Sequence, residues 1–392
     1  MFKKYIPYGR QDINQDDIDA VVEVLRSDFL TQGPVVPRFE EAVAKRVGVR
    51  HGVAVNSATS ALHIACVALD LGPGDWLWTS PITFVASANC GRYCGAEVDF
   101  VDIEPETFNM CPDRLEAKLR DAERTGKLPK VIVPVHMCGQ SPDMVRIAAL
   151  AKEYGIRIIE DASHSIGADY QDDPVGSCKY SDITVFSFHP VKIITTAEGG
   201  LALTNDAELA ARMSELRTHG ITRDPARMLR VPDGAWYYEQ RELGWNYRMT
   251  DVHAALGLSQ LDRLEHFVAK RRDLADRYDA ALVELPVEIP GRLDGAKSSW
   301  HLYVIRLKNA ESHRKVFEGM RDAGIGVNVH YIPIHLQPYY QQFGFVRGDF
   351  PIAEDYYARA ISIPLHPGLT DEDQGQVAAT LRDVLATIET PE

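Results

Sequence analysis

Apolar strands and amphipathic helices alternate between residues 51 and 161, and this order constrains the fold more than any other feature of the chain. Five strands are predicted here: His51–Val55, Trp76–Ser80, Glu97–Asp102, Val131–His136 and Arg157–Glu160. A helical spacing of apolar residues predicts a helix after each of the first four. Strands joined through helices pair in parallel, because each helix returns the chain to the same edge of the sheet. We therefore predict an α/β fold with a largely parallel sheet and ligands bound beyond the carboxyl ends of its strands.

The regular alternation of predicted strands and helices changes after about residue 286. Strands are predicted at 300–307 and 326–331 around a helix at 311–323, and further helices near 352–360 and 371–389. We predict a large domain at residues 1–260, with an N-terminal arm, and a small C-terminal α+β domain at residues 261–392.

One polar stretch, residues 221–248, shows no periodicity but is rich in arginine and aromatic residues. Aromatic side chains are costly to leave in water, so we predict a long functional loop rather than a disordered linker.

Charge and composition exclude several classes of partner. The net charge of −14 argues against nucleic acid or an anionic membrane. No apolar run is long enough to predict a membrane span, and the first residues lack the apolar core of a signal peptide. The six cysteines form no CxxC pair or Cys/His cluster, so we predict no metal site, thiols that are buried or neutral, and a cytoplasmic location.

Lys192 lies between two apolar segments, Ile183–Phe188 and Leu201–Thr204, in a pattern that predicts a strand, a turn and a second strand. Partial desolvation lowers the pKa of a lysine at such a turn and makes its amine available as a nucleophile or a base. A solvated turn lysine without a function remains an equal alternative on this segment alone.

Asp161 closes a predicted buried strand and begins the motif Asp161-Ala-Ser-His164. A carboxylate at a buried strand end needs a partner, and a protonated pyridine nitrogen of a cofactor is one candidate. The alternatives are a helix N-cap for Asp161 and a core histidine satisfied by the backbone for His164.

The motif Asn56-Ser-Ala-Thr-Ser60 follows a predicted strand and opens a helix. Small side chains let backbone N–H groups approach an anion there, although a plain helix cap explains the motif equally well. Together with Asp161 and Lys192, the motif supplies the three groups that pyridoxal 5′-phosphate (PLP) needs: a phosphate site, a charge for the ring nitrogen and an amine for the aldehyde.

The chain resembles the sugar aminotransferases of the DegT/DnrJ/EryC1/StrS family over essentially its full length. The segments that carry the resemblance are Leu30-Thr-Gln-Gly33, Asn56 to Leu62, Pro81-Ile-Thr-Phe-Val-Ala86, Asp161 to Ser165, Ser187 to Gly200, Arg217-Thr-His-Gly220, Gly244-Trp-Asn-Tyr-Arg-Met249 and Ala254 to Leu261. The resemblance implies a fold-type I PLP-dependent transferase, with a mostly parallel seven-stranded sheet in the large domain.

The resemblance also implies roles for individual residues. Lys192 would hold the cofactor and later shuttle the proton, Asp161 would hold the pyridinium, and His164 would lie near the phenolic oxygen. Contacts with the cofactor are expected from Ala58, Thr59 and Ser187 at the phosphate, from Phe84 on the ring, and from Asn246 of a second subunit. Contacts with the substrate are expected from Tyr8, Leu30, Thr31, Arg248, His330 and Tyr331.

The implied reaction is a ping-pong transfer from L-glutamate, which leaves as 2-oxoglutarate, to a nucleotide sugar. Residues 189–200, the Trp236-Tyr-Tyr-Glu239 run and Asn328-Val-His-Tyr-Ile-Pro333 most resemble the family branch that aminates C4 of a UDP-4-keto-6-deoxy-N-acetylhexosamine for pseudaminic acid. His164 is typical of this branch, whereas many family members have glutamine. The resemblance further implies a homodimer with shared active sites.

Three other functions are weighed against this one. Relatives that dehydrate at C3 replace the lysine with histidine, so Lys192 argues against dehydration. Another nucleotide-sugar aminotransferase, acting at C3 or on another epimer or nucleotide, stays open because sugar choice depends on loop shape. A non-catalytic PLP-binding regulator would be expected to lose Lys192 or Asp161, or to gain a DNA-binding module, and this sequence does neither.

Overall fold

The structure is a computed structural model that describes residues 5–389. Its helices are α1 (Gln15–Leu25), α2 (Val35–Val47), α3 (Ala58–Ala68), α4 (Ala86–Tyr93), α5 (Pro112–Thr125), α6 (Met144–Tyr154), α7 (Ala207–Leu216), α8 (Asp251–Asp262), α9 (Leu264–Leu282), α10 (His313–Asp322), α11 (Pro338–Gln341), α12 (Pro351–Arg359) and α13 (Asp371–Glu389). Its strands are β1 (His51–Val55), β2 (Trp76–Thr79), β3 (Glu97–Phe100), β4 (Val131–Val133), β5 (Arg157–Asp161), β6 (Asp169–Tyr170), β7 (Asp173–Pro174), β8 (Ile183–Ser187), β9 (Gly200–Thr204), β10 (Ile221–Thr222), β11 (Glu239–Gln240), β12 (Val287–Glu288), β13 (Ala296–Lys297), β14 (Tyr303–Leu307) and β15 (Ala360–Ile363).

The main sheet has seven strands in the order β1-β9-β8-β5-β4-β2-β3. Strand β9 runs antiparallel to both of its neighbours, and the remaining neighbouring pairs are parallel. The prediction of a mostly parallel seven-stranded sheet in an α/β fold is therefore confirmed.

Successive residues of the central strands face two different cores, as the alternation of side chains along a strand requires. In β9, Ala202 packs into a core with α3 and α4, whereas Leu201 and Leu203 pack into a core with α2 and α8. Both faces of the sheet are thus covered, which explains why its strands are apolar runs rather than alternating ones.

A separate core forms around the three-stranded sheet β12-β14-β15 and helices α10 and α13. Helix α9 joins the two regions, because Leu264 packs with the main sheet and Leu274 packs in the second core. Ile6 of the N-terminal arm also packs in the second core and pairs with Ile325. The division of the chain at residue 260 stays a prediction.

Two elements of the second half differ from the sequence prediction. The predicted strand at 326–331 is wrong, since only an isolated bridge from Asn328 to Ser362 forms there. The strand beside β14 is instead β15, which directly follows α12. Both segments carry alternate apolar residues, Val327 and Val329 in one and Ile361 and Ile363 in the other, so local periodicity could not decide which of them pairs.

Residues 221–248 contain two short strands as well as loop. The short strands β10 and β11 pair as the base of a hairpin, and Glu239 accepts hydrogen bonds from the backbone of Leu229 and Arg230 at 2.6 and 2.8 Å. The hairpin exposes large apolar side chains, including Leu229, Val231, Trp236 and Leu243.

Candidate active site

The register of the main sheet brings the sequence motifs to one place. Val55 and Ser187 both pair with Gly200, and Asp161 pairs with Val185 of β8. The carboxyl ends of β1, β5 and β8 therefore meet along one side of the sheet, which we call the carboxyl edge.

Helix α3 begins at the carboxyl edge with free backbone donors. Ser57 caps the helix, and its hydroxyl accepts the N–H of Ser60 at 3.1 Å. Among the described residues, the N–H groups of Ala58 and Thr59 have no hydrogen-bond partner. Two free donors and the positive end of the helix dipole favour the binding of an anion such as a phosphate.

Gly200 leaves the space that this anion site requires. A Cβ atom at Gly200 would lie 2.5 Å from the backbone nitrogen of Ala58, so any larger residue would displace the start of α3. Ser187, which pairs with Gly200, is buried, and its hydroxyl has no partner within residues 5–389. The predicted phosphate contacts of Ala58, Thr59 and Ser187 thus lie together, although their roles stay predictions.

Asp161 is buried and is held by two serine hydroxyls. The Ser87 hydroxyl donates to one carboxylate oxygen at 2.6 Å, and the hydroxyl and N–H of Ser163 donate to the other at 2.5 and 3.2 Å. These bonds fix the carboxylate and stabilise its negative charge. Ser87 was not predicted as a site residue. Its only local signal is its position in the first turn of a helix, and its partner Asp161 lies 74 positions away in the sequence.

Lys192 lies in the turn between β8 and β9, as predicted. Burial lowers the pKa of its amine to about 8, and the nearby charge of Asp161 opposes this effect. In the part of the chain that the structure describes, the amine has no hydrogen bond or ion pair. A fraction of the amine is therefore neutral near pH 7, as a nucleophile or base requires.

His164 is buried next to Tyr331 and His301. Its Nε2 atom lies 3.3 Å from the Tyr331 hydroxyl, and its ring centroid lies 4.3 Å from that of His301. Burial, and then the charge of Lys192, lower the pKa of His164 well below its usual value, so the ring is neutral at pH 7. The Phe84 ring is exposed and lies 6.2 Å from Tyr331.

His330 and Tyr8 form the next layer of this region. Their ring centroids are 5.4 Å apart, and His330 Nδ1 lies 2.7 Å from the Ser362 hydroxyl. Burial lowers the pKa of His330 to about 3. Tyr8, His330 and Tyr331 are thus brought to one side of His164, where a substrate could reach them.

The remaining predicted residues lie beside strand β1, at the outer side of the sheet, which we call the β1 edge. Arg248 pairs with Val55, and Thr31 pairs with Thr250. Asn246 and Leu30 are exposed. A cavity of about 220 Å³ opens here, lined by Gln32, Gly33, Val36, Pro37, Arg217, Thr218, Arg248 and Met249. Within residues 5–389, Leu30, Thr31, Asn246 and Arg248 form no hydrogen bond or ion pair with Lys192, Asp161 or His164.

The residues at the carboxyl edge fit PLP. The start of α3 offers donors for a phosphate, Asp161 offers a fixed negative charge, and Lys192 offers an unpaired amine. His164 Nδ1 is buried without a partner among the described residues, so it is available to a polar atom of a ligand.

The prediction for the cysteines needs one correction. Burial raises the pKa of the Cys178 thiol to about 12, as expected for a buried thiol. Cys94, however, is only partly buried, and its pKa is lowered to about 6, chiefly by a hydrogen bond from Cys66 and further by His63. Two helices, α3 and α4, bring these side chains together, which their separation in sequence concealed.

Residues 5–389 contain no group of three or more His, Cys, Asp or Glu side chains placed to hold a metal ion. None of the described helices combines the length and the apolar character needed to cross a membrane.

Comparison with known proteins gives matches over nearly the whole chain. The model of the DegT/DnrJ/EryC1/StrS aminotransferase family matches residues 11–382. The spore coat polysaccharide biosynthesis protein SpsC of Bacillus subtilis is 40% identical over 387 residues, 97% of each chain. The UDP-4-amino-4,6-dideoxy-N-acetyl-beta-L-altrosamine transaminase of Campylobacter jejuni is 39% identical over 389 residues, 98% of each chain.

Solved structures agree with the sequence matches. PseC of Helicobacter pylori, an aminotransferase involved in the biosynthesis of pseudoaminic acid, superposes with a TM-score of 0.90 at 33% identity, over 98% of this chain and 100% of its own. The PLP form of Spr1654 from Streptococcus pneumoniae superposes with a TM-score of 0.89 at 31% identity, with the same coverage. The resemblance, the fold type, the cofactor and the enzyme class predicted from the sequence are thereby confirmed: the chain belongs to the DegT/DnrJ/EryC1/StrS aminotransferase family and is a PLP-dependent aminotransferase.

Proposed function

We propose that this enzyme transfers the amino group of L-glutamate to C4 of a UDP-4-keto-6-deoxy-N-acetylhexosamine. The product would be UDP-4-amino-4,6-dideoxy-N-acetyl-β-L-altrosamine, an intermediate of pseudaminic acid synthesis. The observation that supports this choice is the agreement of two comparisons, since a relative named for this reaction and the solved structure of PseC both match almost the full chain.

A second nucleotide sugar is the strongest alternative. SpsC, named for spore coat polysaccharide, is as similar to the chain as the altrosamine transaminase is, at 40% against 39% identity. The alternative therefore differs only in the sugar: another epimer, another nucleotide or a keto group at C3. A non-catalytic regulator is disfavoured, because Lys192 and Asp161 are present with suitable surroundings.

PLP, when bound, supplies an electron-withdrawing ring that stabilises negative charge on the substrate carbon that loses its proton. The chain positions that ring at both ends. The start of α3 and Ser187 would bind its phosphate, and Asp161 would keep a proton on its nitrogen because Ser87 and Ser163 hold the carboxylate in place.

Lys192 would accept and return the proton that moves during transfer. Its lowered pKa, about 8, lets the amine act as a base near neutral pH and as an acid in the return step. Glutamate would leave as 2-oxoglutarate before the keto sugar binds. Double-reciprocal plots of initial rate against keto-sugar concentration, at several glutamate concentrations, should therefore be parallel lines.

We also propose that two chains share each active site, which makes the enzyme a homodimer. Asn246 and Arg248 lie at the β1 edge and form no hydrogen bond with Lys192 of their own chain within the described residues, and the neighbouring hairpin exposes apolar side chains. A partner chain would bring Asn246 to the cofactor, and Leu30, Thr31 and Arg248 towards the substrate. The cytoplasmic location remains part of the proposal.

A panel of keto sugars tests the proposed substrate. Purified enzyme with PLP and L-glutamate is given UDP-4-keto, UDP-3-keto and dTDP-4-keto sugars, and the products are identified by mass spectrometry and NMR. We expect amination of the UDP-4-keto-6-deoxy-N-acetylhexosamine at C4, and none by the Lys192→Ala variant. Preferred amination of a 3-keto or dTDP sugar would contradict the proposal and favour the alternative.

A further inference from the structure

The segment at residues 298–302 passes directly behind the turn that carries His164. The Ser299 hydroxyl donates to the backbone oxygen of His164 at 3.0 Å, and the N–H of His301 donates to the Cys138 carbonyl at 2.9 Å. A Cβ atom at Gly139 would lie 2.8 Å from the His301 nitrogen. The segment is therefore packed against its neighbours with no room for a larger residue at Gly139.

The side chains of this segment reach His164 as well. His301 and His164 are both buried, and their ring centroids lie 4.3 Å apart with the planes inclined at 46°. The ring of Tyr331 is nearly parallel to that of His164, inclined at 25° with centroids 6.3 Å apart. His164 thus has an aromatic neighbour from each of two segments, which restricts the rotation of its ring.

His164 and His301 differ in the hydrogen bonds that their ring nitrogens form. The Tyr331 hydroxyl lies 3.3 Å from His164 Nε2, whereas Nδ1 of His164 and Nδ1 of His301 are buried with no partner in the described part of the chain. When Tyr331 donates to Nε2, a neutral His164 carries its proton on Nδ1. A buried donor without an acceptor is unfavourable, so this N–H points to an acceptor supplied by a ligand.

The charges around the pair keep both rings neutral. Burial is the largest cause that lowers the pKa of His164 and of His301, and neighbouring cations act in the same direction. The groups that face the two rings are Lys192, His330, His136 and Arg271, with the Tyr331 hydroxyl as a neutral neighbour.

We propose that His301 is a positioning residue, which fixes the His164 ring so that its Nδ1–H donates to the phenolic oxygen of the cofactor. The proposal rests on the placement of PLP at the carboxyl edge described under the proposed function. It goes beyond the proposed function, because His301 belongs to the chain segment that leads into β14, outside the sequence motifs of the main sheet.

The absorbance of bound PLP between pH 5 and 10 tests this role without any sugar substrate. A hydrogen bond to the phenolic oxygen stabilises its negative charge, so losing the bond raises the pH at which the absorbance changes. We expect His164→Phe to raise this midpoint and His301→Leu, which removes the ring beside His164, to raise it by a smaller amount, since His301 acts through His164. In the His164→Phe background, His301→Leu should add nothing.

Control variants separate positioning from general stability. His335 is also a buried histidine, paired with Glu354 at 2.9 Å, and His335→Gln should lower the melting temperature without moving the midpoint. Ser299→Ala removes the hydrogen bond to the His164 backbone but keeps both rings, and it should raise the midpoint by a smaller amount than His301→Leu. If His301→Leu does not fold, His301→Gln takes its place, because it also removes the ring.

Two results would overturn the role of His301. One is an unmoved midpoint in His301→Leu, or in His301→Gln if His301→Leu does not fold. The other is an effect of His301→Leu that is the same with and without His164. A wild-type enzyme that gave no PLP absorbance at all would instead contradict the placement of the cofactor, so the two failures are distinguishable.

Discussion

The carboxyl edge and the β1 edge of the same sheet are built in opposite ways. At the carboxyl edge, Asp161 and His164 are buried, and serine hydroxyls or aromatic rings fix them within one chain. At the β1 edge, Asn246 and Leu30 are exposed, and the adjacent hairpin presents apolar side chains to solvent. The contrast fits the proposal that one chain prepares the cofactor site and that a partner chain completes the sugar site.

The largest effect is expected at the carboxyl edge. Lys192→Ala should reduce turnover by at least about 10⁴-fold, because the nucleophile and proton carrier are lost together. Turnover is measured as 2-oxoglutarate release. Lys179→Ala is the matched control, since Lys179 is half-exposed and pairs with Asp173 at the surface. Retained turnover in Lys192→Ala would remove the lysine from its role.

Asp161→Asn tests the other end of the cofactor site. The change keeps the shape but removes the charge, and we expect the rate to fall by about 10²–10³-fold, as for other preorganised charges. Ser87→Ala, which leaves the carboxylate with Ser163 alone, should cost less. Rates are compared at saturating PLP with circular dichroism as the folding control, and a near-normal rate for Asp161→Asn would contradict the assignment.

The β1 edge is tested by mixing two inactive variants. If Arg248 serves the partner's site, exchange of subunits between Lys192→Ala and Arg248→Ala should restore up to about a quarter of wild-type activity, because half of the dimers would hold one intact site. Exchange is followed with subunits carrying different mass tags. Complete exchange without recovery would show that each chain holds a self-contained site, and the contrast between the two edges would fail.

The smallest effect concerns the titration of Lys192. A lysine attacks an aldehyde only as the neutral amine, so the rate of PLP attachment to the apoenzyme should rise with pH and level off above a pKa of about 8. Asp161 stabilises the ammonium form, so Asp161→Asn should move the plateau to lower pH. Stopped-flow absorbance measures both. A rate that keeps rising to pH 10 would show an ordinary, solvated lysine.

The sequence predicts the carboxyl edge well because its signals are local. The strand-turn-strand pattern around Lys192, the strand end at Asp161 and the helix start at Ser57 each occupy a few consecutive residues. The register of the sheet then places them together, as parallel strands require.

Contacts between distant segments were not predictable in this way. Ser87 with Asp161 and Ser299 with His164 join residues far apart in sequence, and neither serine stands in a distinctive local pattern. The exchange of the predicted strand at 326–331 for β15 has the same cause, since the pairing of β15 with β14 joins residues more than 50 positions apart in sequence. The proposed shared site adds a further limit, because contacts with a second chain leave no periodic pattern in the sequence of one chain.

Chemical trapping of the cofactor tests the central claim most directly. Holoenzyme is reduced with sodium borohydride, which locks PLP to the lysine that holds it, and the digested peptides are sequenced by mass spectrometry. We predict a pyridoxyl phosphate group on Lys192 in the wild type and on no lysine of the Lys192→Ala variant. A stoichiometric label on any other lysine would contradict the account.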